Sequence, residues 1–151
     1  MKIMSSARVV VLHGDPHKRG LLCAELSALG MLALLPAGCP IEASKFGEAG
    51  PVDLCIVDAQ SLTAGASTGI IPSNPFDPAR TPGILIAADA SRDTQKAAAA
   101  LGYHAVLAAP VGSRLLYRRI GSLLQKARRA SRANAAALAV RAAARRNELR
   151  G

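Results

Sequence analysis

The chain has 151 residues, half of them apolar, enough for one globular domain with a single core and an extension. Its formal net charge of +9 is lopsided: residues 1–113 carry 8 Lys/Arg against 9 Asp/Glu, whereas residues 114–151 carry 11 against Glu148 alone, so any electrostatic partner belongs to the tail. No apolar run reaches the roughly 18 residues of a membrane span, and Met1 to Arg8 does not read as a secretory leader, which predicts a cytoplasmic protein with no membrane span.

Arg8-Val9-Val10-Val11-Leu12 is a β-branched run stopped by His13-Gly14-Asp15-Pro16. Leu21, Leu22, Glu25, Leu26 and Leu29 then recur at helical spacing up to Gly30, giving strand, loop and helix. Met31 to Leu35 predicts a second strand closed by Pro36-Ala37-Gly38, and Ile41 to Ala49 a short helix broken by Gly50-Pro51. The stretch from Val52 to Asp58 is an apolar run ending abruptly in a carboxylate, the pattern of a strand buried on both faces that delivers an acid to the sheet edge.

From Ser61 to Pro82 the residues Gly65, Gly69, Pro72, Pro75, Pro78 and Pro82 leave no room for a long helix, so a long loop is expected, functional or mobile. Ile84-Leu85-Ile86 is the fourth strand. Ser91 caps a helix running to about Leu101 and ended by Gly102, and Ala105-Val106-Leu107 is a fifth strand before Ala108-Ala109-Pro110. Such alternation predicts an α/β fold, a doubly wound five-stranded parallel sheet. Cys23, Cys39 and Cys55 are an odd set without Cys-x-x-Cys spacing, which argues against a disulfide framework and a thiolate metal site; Cys23 and Cys55 read as core.

Arg114 to Leu149 reads as one alanine-rich helix. At 100° per residue, Leu116, Ile120, Leu123, Leu124, Ala127, Leu138 and Leu149 fall in a sector of about 100°, opposite Arg114, Arg118, Arg128, Arg129, Arg132, Arg146 and Arg150. Such a helix is about 54 Å long at about 1.5 Å per residue, twice what a domain of this size can cover, so the part beyond about Arg128 projects. The expected division is residues 1–126 as a compact domain and 127–151 as a basic amphipathic extension.

The order of elements and several strings resemble the CheY-like receiver domain of bacterial response regulators over about residues 7 to 126. Asp53-Leu54-Cys55-Ile56-Val57-Asp58 matches the phosphoacceptor strand, Ala88-Asp89-Ala90-Ser91 the segment after the fourth strand, and Ala108-Ala109-Pro110-Val111 the segment after the fifth. The resemblance implies strand order 2-1-3-4-5, with the third helix eroded to a loop, and Asp58 at the acceptor position. In that family two adjacent acids after the first strand hold Mg²⁺, a Thr or Ser ends the fourth strand, and a Lys precedes the proline after the fifth. Here those positions are His13-Gly14, Ala87 and Ala109, followed by Pro110. An aspartate attacks a phosphoryl group only where incoming charge is neutralised, by carboxylate-held Mg²⁺ and a Lys. Asp15, one residue late, is the remaining candidate ligand, and His13 is a soft substitute for a hard cation. The expectation is a degenerate pseudo-receiver in which Asp58 is a vestigial acceptor, with no enzymatic activity.

Other readings attach to particular residues. His13, Asp15 and His17 lack further metal ligands at fixed spacing, so no metal or cofactor is expected, with Mg²⁺ required only if Asp58 accepts phosphate from a histidine kinase. Arg92 and Arg114 suit phosphate recognition on the face that some pseudo-receivers use for cyclic di-GMP, although Val106 replaces the usual aromatic and Tyr103 or Tyr117 would have to stack. The last helix, through Leu116, Ile120, Leu124, Arg128, Arg129 and Arg132, is the expected surface for a kinase, a regulator or a second copy of the chain. Arg141 and Arg145 interrupt its apolar stripe, which makes coiled-coil pairing loose. Its charge also allows salt-sensitive nonspecific binding of nucleic acid.

Overall fold

A computed structural model describes residues 2–62 and 71–150, with side chains except those of residues 2, 3 and 148–150. Residues 63–70 of the long loop, and the side chains of Leu149 on the apolar stripe and Arg150 on the opposite basic side, therefore lie outside the described residues. The elements are α1 (Lys2–Ser6), β1 (Arg8–Leu12), α2 (Pro16–Ala28), β2 (Ala33–Ala37), α3 (Pro40–Ala49), β3 (Leu54–Asp58), α4 (Ala59–Leu62), β4 (Gly83–Ala87), α5 (Arg92–Ala100), β5 (Ala105–Ala108) and α6 (Ser113–Arg150).

All strands pair in parallel in the order β2-β1-β3-β4-β5, with Val11 opposite both Pro36 and Ile56, and Val57 opposite Leu85. Because side chains alternate across a strand, each central strand supplies two cores. Val9, Val11, Leu54, Ile56, Ile84 and Ile86 pack with Met4, Leu26, Leu116 and Ile120 under α1, α2 and α6. Val10, Leu12, Cys55, Val57 and Leu85 pack with Ala43, Ala59, Ala98 and Tyr103 under α3, α4 and α5. Leu116 and Ile120 are fully buried, each contributing roughly 1.5–3 kcal/mol.

Helix ends follow local chemistry. Asp15 caps α2 with Pro16 in the first turn, and the Ser91 hydroxyl accepts the Thr94 N–H at the start of α5. Gly30 and Gly102 end those helices at φ 115° and 94°, a left-handed conformation that glycine adopts without a Cβ penalty.

Three sequence expectations are corrected. The second strand starts at Ala33 and includes Pro36 rather than ending before it, which an edge strand tolerates because a missing N–H on its outer side costs no ladder bond. Leu21, assigned to the apolar face of its helix, is 53% exposed. After β3 the described residues hold only the single turn α4, in keeping with the expected erosion of the third helix. Residues 71–82 of the long loop are held in place: the Asn74 side-chain amide donates to the Thr81 and Gly102 carbonyls, the Thr81 hydroxyl donates to Val52 O at 2.8 Å, and the Tyr103 hydroxyl donates to Pro72 O at 2.5 Å.

α6 is one helix of 38 residues, roughly 57 Å at 1.5 Å per residue. It starts beyond the carboxyl end of β5 and passes the amino ends of the strands near residue 124. From Arg128 to Asn147 every residue is exposed.

Candidate functional site

Asp58 closes β3 at the carboxyl edge of the sheet, where open parallel sheets place their sites. Both carboxylate oxygens are engaged. Oδ1 accepts the Ser61 N–H at 3.1 Å, and Oδ2 lies 3.5 Å from His13 Nε2. The Ser61 hydroxyl donates to the Asp58 main-chain carbonyl at 2.9 Å and accepts the Gly14 N–H at 2.9 Å. A single serine on α4 thus ties the acceptor strand to the loop after β1.

His13 is buried, and its Nδ1 accepts the Asp15 N–H at 3.0 Å. That bond places the proton of the neutral ring on Nε2, which faces Asp58. The His13 main chain is held on both sides, its N–H donating to Ala37 O and its carbonyl accepting from Arg19 Nη1 at 2.8 Å. Gly14 backs directly onto α4, and a Cβ at this position would collide with the Ser61 carbonyl. The position that would carry a second acid is therefore closed by main chain.

Asp15 faces its own helix. Its Oδ1 accepts the N–H groups of His17 at 2.9 Å and Lys18 at 3.3 Å. The Lys18 N–H, with that of His17 and the Lys18 charge, holds its carboxyl below the usual carboxylate range despite some desolvation. Ala87 ends β4, and its carbonyl accepts the Ala109 N–H at 2.8 Å; Ala109 precedes Pro110 through a cis peptide bond. Neither alanine offers a hydroxyl or a cation. The fit to Mg²⁺ fails on this donor set: one carboxylate, an imidazole already directed at it, a glycine, and an aspartate spent on a helix cap. Among the described residues no group of three or more His, Cys, Asp or Glu side chains could hold a metal ion.

The other predicted residues separate. Arg92 opens α5, whereas Arg114 lines a groove with Leu29, Tyr117 and Arg118. The cation of the groove between α5, β5 and α6 is Arg119, beside Gln95, His104 and Val106. Tyr103 is a core residue with a bonded hydroxyl, which removes it as a stacking ring. Leu116, Ile120 and Leu124 are also buried, so they fasten α6 to the sheet and are not offered to a partner. The helix presents Arg128, Arg129, Arg132, Leu138 and Val140 outward. Sequence reasoning missed Ser61 and Arg19. A serine three residues after a strand-ending aspartate is the signature of such a turn and was the available signal for Ser61; nothing local marked Arg19.

No family model and no curated protein matches the sequence. Solved structures do match, and the chain has the fold of CheY-like response regulator receiver domains. Chemotaxis protein CheY4 of Vibrio cholerae is 16% identical with a TM-score of 0.60, covering 78% of this chain and 98% of its own. A CheY-like receiver domain protein of Methanospirillum hungatei is 16% identical with a TM-score of 0.63, covering 82% of this chain and 97% of its own. A yeast Spc42 trimeric coiled-coil segment fused to another protein is 13% identical with a TM-score of 0.67, covering 94% of this chain and 95% of its own.

Proposed function

We propose that the protein is a pseudo-receiver in two-component-type signalling: a non-enzymatic module that works without aspartyl phosphate and acts by docking a protein partner, a kinase, a regulator or a second copy, through the exposed part of α6. The observation that carries this reading is the closed surround of Asp58. Its carboxylate is met by the Ser61 N–H and by His13, and Gly14 is packed against the Ser61 carbonyl where a metal-binding acid would stand. Phosphoryl transfer to Asp58 would develop charge with neither a metal nor a Lys to take it up.

Docking is supported by the exposed run from Arg128 to Asn147, which has no role in holding the sheet together. A neighbour of this fold that carries a trimeric coiled coil supports self-association as one form of that docking. The basic charge supports an acidic partner surface.

The test is incubation of the full chain with acetyl phosphate, or beryllium fluoride, and Mg²⁺. The expected result is an unchanged intact mass and unchanged amide spectra. A response abolished by Asp58→Asn would overturn the reading and make Asp58 a working phosphoacceptor. Sedimentation of the full chain against Leu138→Glu addresses the helix: a second copy as partner predicts association that the charge weakens.

A further inference from the structure

The corner where α6 leaves the body contains two adjoining hollows, of about 300 Å³ and about 500 Å³, that share Arg80, Ala127 and Ser131. Together they fall in the roughly 300–1,000 Å³ range of small-molecule sites. They exist because Ala127 and Ala130 are small where α6 passes the segment 78–82, leaving a concave angle between helix and loop.

The first hollow is cationic. Arg80 and Arg128 line it, and Lys126 lines the second beside Arg80. Among the described residues no carboxylate pairs with any of these three side chains. The lining holds one acid, Asp53, whose Oδ2 already accepts the Arg8 N–H at 2.8 Å. Two arginines lining one hollow favour an anion between them, and the guanidinium fork matches a phosphate edge with two parallel hydrogen bonds.

The second hollow has a different character. Pro78, Pro82 and Leu123 give it apolar walls, with the His104 ring and the Asn134 amide at its border. His104 Nδ1 accepts the Gly83 N–H at 3.4 Å, which leaves Nε2–H to donate outward. Asn134 offers both a donor and an acceptor, the pair that reads the edge of a heteroaromatic base.

We propose that this corner is a nucleotide site, with a diphosphate held by Arg80 and Arg128 in the first hollow and the base seated in the second between Pro78, Pro82 and Leu123 against Asn134. The site lies at the amino end of the sheet, away from Asp58, and stands independently of the docking role of α6. Its occupant bridges the 78–82 segment to the helix, so binding also fixes the direction in which the extension leaves the body.

The experiment is calorimetric titration of the full chain with ADP and GDP, with pyrophosphate and adenosine as the two halves, followed by amide chemical shifts. At least one diphosphate is expected to bind, with shifts confined to residues 78–82 and 123–134 and to the other lining residues, among them Ala7, Asp53 and His104. Arg80→Ala should weaken binding by about tenfold or more, the loss of one charge-assisted contact. Arg141→Ala with Arg145→Ala, and Arg114→Ala, should change it by less than about twofold, since these cations lie outside the corner. Failure of both diphosphates to bind at millimolar concentration overturns the proposal. So does an equal loss in the Arg80 and Arg141/Arg145 variants, which marks general attraction to a basic helix. Pyrophosphate binding as tightly as the nucleotides removes the base from the assignment.

Discussion

The two ends of the sheet have opposite polar accounting. At the carboxyl end, Asp58, His13, Ser61 and Gly14 satisfy one another, and the space among them is filled by their own main chain. At the amino end, Arg80 and Arg128 line one hollow and Arg80 and Lys126 its neighbour, and among the described residues none of the three forms an ion pair. Groups that satisfy one another contribute to stability, whereas unpaired surface cations contribute little to it and leave their charge open to a ligand. The end that the fold would nominate for chemistry is the one whose polar groups bond to one another.

That contrast predicts where substitutions register. Gly14→Ala should be the most damaging, by about 1–3 kcal/mol, because the added methyl meets a main-chain carbonyl that cannot rotate away. Chemical denaturation would show it, and an unchanged midpoint would mean that α4 does not rest on the β1 loop. Asp58→Ala should cost about 1–2 kcal/mol by stranding the Ser61 N–H and the His13 Nε2–H, with a smaller loss for Ser61→Ala, about 1 kcal/mol. At the other end, Arg80→Ala should move stability by no more than about 0.5 kcal/mol, since an exposed cation without a partner supports nothing in the unliganded chain.

The same contrast has a pH signature. The Asp15 carboxyl is lowered below 3.8 in the folded chain by the N–H groups it caps, so its contribution is present above 3.8 and lost as pH falls through the lower folded value. The stability difference between the parent and Asp15→Ala should therefore be full at neutral pH and shrink in acid. A difference that grows in acid would show that Asp15 acts through something other than the cap.

The sheet was legible because its strands are continuous apolar runs punctuated by Gly, Pro and acids, and the Ser91 cap and Gly102 stop were legible because they act over a few residues. What escaped depends on distant neighbours. Nothing near Pro36 says that β2 lies at an edge, where a proline is admissible. Asn74 looks like an ordinary loop residue until Gly102 arrives 28 positions later to accept its amide. The loss of acids around Asp58 could be read directly, but the way the gap was filled could not, since Gly14 and Ser61 are 47 residues apart. The corner at Arg80 and Arg128 likewise forms only when α6 crosses the amino ends of the strands.

Tyr103 has a consequence in spectroscopy. The chain has no Trp and two Tyr, so its near-ultraviolet signal comes from Tyr103 and Tyr117. Burial, with a smaller push from Cys55, raises the Tyr103 phenol above its usual 10.0, and its hydroxyl is bonded to Pro72 O. On alkaline titration it should ionise later than a free phenol, while the stability it lends is kept below pH 10 and lost as pH rises through the folded value. The delayed rise in tyrosinate absorbance then reports the seam between segment 71–82 and β5 without any introduced label.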